Sequence, residues 1–124
     1  MLTQALNRQN AVLGVALQGL SARNDAIMNN IANADVPGFT ARRVEFESRL
    51  ADAVDRWQAT GSLDLSRTGA ATRYQEGNHF FRMDRSNVDM EREMVALFSN
   101  AVRYDVMVNS VMHNSRMIGV VLGR

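Results

Sequence analysis

A chain of 124 residues has room for one ordinary domain and not for two independent cores. Its apolar content of 46 % excludes a generic disordered tail, and its aromatic content of only 6 % favours helix packing over a sheet sandwich. A net charge of +1 argues against nucleic-acid binding by bulk electrostatics, and the lack of cysteine excludes disulfide scaffolds, thiolate zinc sites and thiol nucleophiles.

Every basic residue is an arginine. A GC-rich genome produces that bias, and so does a demand for guanidinium forks at buried polar contacts. The stretch Met1 to Leu20 has no continuous apolar core and no signal-peptidase site, so no cleaved signal peptide is expected. No run is long enough for a membrane span.

The first element is a long helix over residues 1–34. Leu6, Leu13, Leu17, Leu20, Ile27 and Ile31 fall on a 3-4 spacing, with Asn10 and Asn24 filling the two missing steps. A coiled-coil seam has this pattern, and asparagine within a seam fixes register at a cost in stability. An ordinary amphipathic surface helix satisfies the same spacing.

Pro37 disfavours helix at Val36, so this helix is predicted to stop near Asn33 or Ala34. Pro37-Gly38 suits the centre of a type II turn, which leaves Phe39 free to dock on an apolar surface. The asparagines before the turn can bond backbone at the helix end.

Phe46, Leu50, Val54 and Trp57 are spaced for a short amphipathic helix over 45–58, ended by Thr60-Gly61. Residues 62–77 are polar, broken by Gly69 and Gly77, and read as a mobile loop. Residues 79–83 read as a short strand. The whole of 35–87 is therefore expected to be a turn, a short helix and a variable outer segment.

The last element, 88–124, has the clearest pattern. Met90, Met94, Leu97, Ala101, Tyr104, Val108, Val111, Ser115, Ile118 and Leu122 follow unbroken 4-3 spacing. Asp89, or else Ser86 or Asn87, is its N-cap, and Glu91 and Glu93 suit the positive end of the helix dipole. Val95, Phe98, Val102 and Val106 make a second stripe, and Met107, Met112, Met117, Val120 and Val121 add more apolar surface. One partner helix cannot cover all of this, so burial by other chains is expected, together with partial unfolding of the isolated monomer. The fold class is mainly α: long terminal helices pack as a coiled-coil-like pair, with a short middle helix and a small β segment.

No catalytic, cofactor or metal site is expected. His79 and His113 lie on separate segments without a second ligand at metal spacing. The serines form no nucleophile elbow, and there is no phosphate-binding glycine loop. The methionines read as adaptable packing.

The run Ile31-Ala32-Asn33-Ala34-Asp35-Val36-Pro37-Gly38-Phe39, with Asn30 before it, resembles the signature of the flagellar rod/hook axial protein family. Residues 41–46, 87–94 and 101–104 resemble the FlgB group of basal-body rod proteins within it. Val36 stands where Thr or Ser is common, and Phe39 where Tyr is common.

The resemblance implies a non-enzymatic subunit of the proximal rod. Such a subunit transmits torque and lies in the periplasmic part of the basal body after type III export. It implies contacts with further copies of itself, with FlgC and FliE, and with the flagellar export gate. The turn motif would be Asn30, Ile31, Ala32, Asn33, Pro37, Gly38 and Phe39. The assembly seam would be Leu13, Leu17, Leu20 and Ile27 with Met90, Met94, Leu97, Ala101, Tyr104, Val108, Val111, Ile118 and Leu122. The related short rod protein FlgC and a non-flagellar coiled-coil adaptor are the alternatives at this point.

Overall fold

The computed structural model describes residues 1–69, the backbone of 71–74, and residues 87–123. Five elements follow in order: helix α1 (Leu2–Ala32), strand β1 (Arg42–Glu45), helix α2 (Glu47–Thr60), strand β2 (Ala71–Tyr74) and helix α3 (Met90–Val121). The long terminal helices α1 and α3 lie against each other, and β1 and α2 pack on α1.

Helix α1 ends where the proline rule placed its stop. Asn33 is the C-cap, and its side-chain amide donates to the Asn29 carbonyl at 2.8 Å. Gly38 then takes φ +72, and the Phe39 N–H donates to the Val36 carbonyl at 3.2 Å. This is the type II geometry, in which only glycine is unstrained at the third position. Phe39 does dock, inside the chain, on a small cluster of Ala34, Ala41 and Val88.

The segment after the turn differs from the expectation. Residues 42–45 form a strand, so α2 begins at Glu47 and runs to Thr60 instead of covering 45–58. Val44 and Phe46 share one face of this extended stretch, and both are buried. Burying two large side chains at i, i+2 on α1 outweighs extending α2 by two residues. Gly61, in the left-handed conformation, closes α2 with its N–H on the Trp57 carbonyl at 2.8 Å.

The predicted loop over 62–77 contains β2, which is a second correction. It pairs antiparallel with β1, Arg42 opposite Tyr74 and Glu45 opposite Ala71. Its polar composition hid it, because the strand is defined by its partner more than by an apolar face of its own. The strand predicted over 79–83 lies outside the described residues.

The main core is compact and off-centre. Ala16, Leu20 and Ala26 of α1 meet Val44 and Phe46, with Ala22, Leu50 and Met107 partly buried against them. Gly19 makes this possible, because a Cβ there would lie 2.4 Å from the Phe46 ring. Arg23 completes the joint: its guanidinium stacks 4.9 Å from the Phe46 centroid, donates to the Val44 carbonyl at 3.0 and 3.2 Å, and pairs with Glu47.

Candidate assembly surface

The cap of α3 is Asp89, whose carboxylate accepts from the N–H groups of Glu91 and Arg92 at 3.1 and 3.3 Å. From there the helix turns its polar residues inward. Glu93, Asn100 and Asn114 are its buried side chains. With Met107 they recur every seventh residue, so they line one face of the helix, and that face meets α1.

Each polar residue has a partner on α1. Glu93 is fully buried; its carboxylate pairs with Arg43 at 2.6 Å and accepts from the Asn30 amide at 3.2 Å. Asn30 also brackets Arg42, donating to its carbonyl at 2.9 Å and accepting from its N–H at 2.8 Å. The Asn100 amide donates to the Leu20 carbonyl at 2.9 Å. The Asn114 amide donates to the Asn10 side chain at 3.2 Å. The pairs 30–93, 20–100 and 10–114 run in opposite directions along the two helices, so α1 and α3 are antiparallel.

A further latch joins the start of α3 to the turn. The side-chain carbonyl of Asn87 accepts from the Ala41 N–H at 2.7 Å, and its own N–H donates to Phe39 at 3.3 Å. The turn motif thus divides by role. Asn30 reaches across to β1 and α3, Asn33 caps α1, Pro37 and Gly38 reverse the chain, and Phe39 packs. Ile31 is half-buried and Ala32 exposed at the helix end.

With the polar line turned inward, most of the apolar residues of α3 face outward. Val95, Phe98 and Val120 are 70 %, 73 % and 77 % exposed. Met90, Met94, Val102, Tyr104, Val106, Met112, Met117, Val121 and Leu122 are also exposed. A surface of this extent on one helix exceeds the scattered single hydrophobes of an ordinary monomer.

The residues of the predicted seam fall in three places. Leu20 and Ile27 are buried within the chain, and Leu13 and Leu17 are half-buried. Leu97, Val108, Val111 and Ile118 are half-buried along the edge of the α1–α3 contact. Met90, Met94, Ala101, Tyr104 and Leu122 are exposed. The 4-3 line of α3 therefore lies beside the face that meets α1, displaced by one heptad position from the Glu93–Asn100–Asn114 line. The seven-residue repeat of those three is present in the sequence, but a search for apolar periodicity passes over it.

Among the described residues no group of three His, Cys, Asp or Glu side chains converges on a point, and no helix is long and apolar enough to cross a membrane. Glu47 is the partly buried acid with a displaced titration. Partial burial pushes its carboxyl up, but hydrogen bonds from Arg23 and from the Glu47 and Phe46 N–H groups, with the Arg23 charge, outweigh this and hold it below 4.5.

A family described as "Flagella basal body rod protein" matches residues 11–40, which covers most of α1 and the turn. Flagellar basal body rod protein FlgB of Yersinia enterocolitica is 35 % identical over 102 residues, 72 % of this chain and 74 % of that one. FlgB of Borreliella burgdorferi is 30 % identical over 123 residues, 86 % of this chain and 89 % of its own. FlgB of Bacillus subtilis is 30 % identical over 98 residues, covering 75 % and 76 %.

Proposed function

Because the chain belongs to the FlgB family of flagellar basal body rod proteins, we propose that it is a structural subunit of the proximal rod that carries torque through helix–helix contacts with its neighbours. The observation that carries this reading is the outward apolar surface of α3, with Phe98 at 73 % exposure. Such a surface costs solubility in a free monomer and becomes stabilising once neighbours cover it, at about 25 cal/mol per Å² of apolar area.

Stiffness in a drive shaft requires that many contacts share the load. Two antiparallel helices, tied by hydrogen bonds at both ends and in the middle, form a rod-like unit able to pass force along its length. The exposed seam residues Met90, Met94, Ala101, Tyr104 and Leu122, with half-buried Leu97, Val108, Val111 and Ile118, are the surface that neighbours engage. The neighbours are further copies of this chain and the rod proteins FlgC and FliE, with the export gate at the base. The subunit reaches the periplasmic part of the basal body through the flagellar export channel. A chain without cysteine and with a single proline threads such a channel free of cross-links.

The test is Phe98→Asp in a motile strain. Circular dichroism of the purified variant should match wild type, since Phe98 is exposed. Motility and basal-body rods should be lost. A swimming strain with normal basal bodies would refute the reading.

A further inference from the structure

Three helices of this chain enclose an apolar groove. Its floor is Val12, Ala16 and Leu20 of α1, one wall is Leu50 and Val54 of α2, and the other is Met107 of α3, around about 410 Å³. Three charged residues line it: Glu47, which is paired with Arg23, Asp55 on the α2 wall and Arg103 on the α3 wall. On the far side of α3 from the α1 contact stands a ridge of Val95, Phe98, Val102 and Val106, all exposed. Glu91 and Arg92 precede the ridge by one turn, and Asp105 sits in it, one turn past Val102.

We propose that the groove of one copy receives the Val95–Phe98–Val102 ridge of the next. The inference rests on the rod reading and adds to it which surfaces of two identical subunits meet.

Two observations select a second copy as the occupant. First, the charges are complementary. Besides Glu47, which Arg23 neutralises within the chain, the groove offers an acid and a base; the ridge offers the base Arg92 and the acid Asp105, with a second acid, Glu91, beside Arg92. None of Asp55, Arg92, Arg103 and Asp105 has an ion pair within the chain among the described residues. Arg92 opposite Asp55 and Asp105 opposite Arg103 satisfy all four. Second, ridge and groove occupy different faces of the same chain. A contact between unlike faces is heterologous, and it propagates into an open helical array when its rotation does not close a ring. Insertion of i, i+3, i+7 apolar side chains into a groove is a common mode of helix recognition.

The natural chain contains no cysteine, so engineered thiols report contacts without background. Two versions, Phe98→Cys and Val54→Cys, are produced together in flagellated cells, and basal bodies are isolated and oxidised. A disulfide-linked dimer of this chain is expected. Replacing the second site with Asp52→Cys, on the exposed side of α2 and outside the groove, should lose it. Basal bodies that contain both versions but yield no 54–98 dimer, or yield it no more than the 52–98 control, overturn the proposal and leave the rod reading intact. If neither version is found in basal bodies, the rod reading falls and this inference with it.

Discussion

At the scale of single residues, the fold depends on a few side chains that are unusual for their positions. Gly19 sits in the interior of α1, where glycine weakens a helix by roughly 0.5–1 kcal/mol relative to alanine. Here the Phe46 ring occupies the space a Cβ would need. Gly19→Ala should therefore destabilise despite its better helix propensity, by about 1–3 kcal/mol as expected for overpacking; urea unfolding of the purified chain measures it. Glu93 is a buried carboxylate whose partner, Arg43, is 37 % exposed. Glu93→Ala should cost less than the roughly 3–5 kcal/mol typical of breaking a fully buried pair, because Arg43 can turn to water. The same unfolding curves give that value.

Glu47 makes a pH-dependent contribution. Its folded carboxyl titrates below 4.5, the ordinary value, so the unfolded chain binds its proton more readily. The stabilisation is complete above the unfolded value and is lost as pH falls through the folded one. The difference in thermal midpoint between wild type and Glu47→Gln should be constant near neutrality and shrink as pH drops below about 4.5. A difference that persists unchanged to pH 3 would mean that the charge of Glu47 is not what stabilises the fold.

At the scale of elements, the sequence announced the helices and concealed the sheet. Apolar spacing and the Asp89 cap located α3, and Pro37-Gly38 located the end of α1 and the turn. Strand β1 and the residue after it bury only Val44 and Phe46 on α1, and Phe46 also fits a helical pattern with Leu50 and Val54. Strand β2 exists through its pairing with β1, which no local pattern encodes. The choice of α3's inner face was equally hidden. Periodicity detects the most apolar line, whereas the face that meets α1 is defined by hydrogen bonds that Glu93 accepts and that Asn100 and Asn114 donate. That inversion makes sense if the apolar line is reserved for other subunits. Val108, half-buried on the border between the two faces, tests the border: Val108→Asp should abolish motility, with rods missing from basal bodies by electron microscopy. A motile Val108→Asp strain would remove this residue from the seam.

At the scale of the whole molecule, burial is unevenly distributed. The core lies around residues 16–50, while the far ends of α1 and α3 hold together through Leu6, the Asn10–Asn114 bond and half-buried neighbours. Opening free energies should follow that gradient. Amide exchange in the free protein is expected to be slowest around Leu20 and Phe46 and fast over residues 1–8 and 115–122. Protection of both tails should rise when the chain is incorporated into rods.

The central claim is that the outward face of α3 is covered in the assembled state and bare in the free one. Thiol labelling of Phe98→Cys, with no other cysteine in the chain to interfere, measures this directly. The free protein should react with a maleimide at the rate of an exposed thiol, and the same variant in isolated basal bodies should be protected at least tenfold. Equal reactivity in the two states would contradict the account.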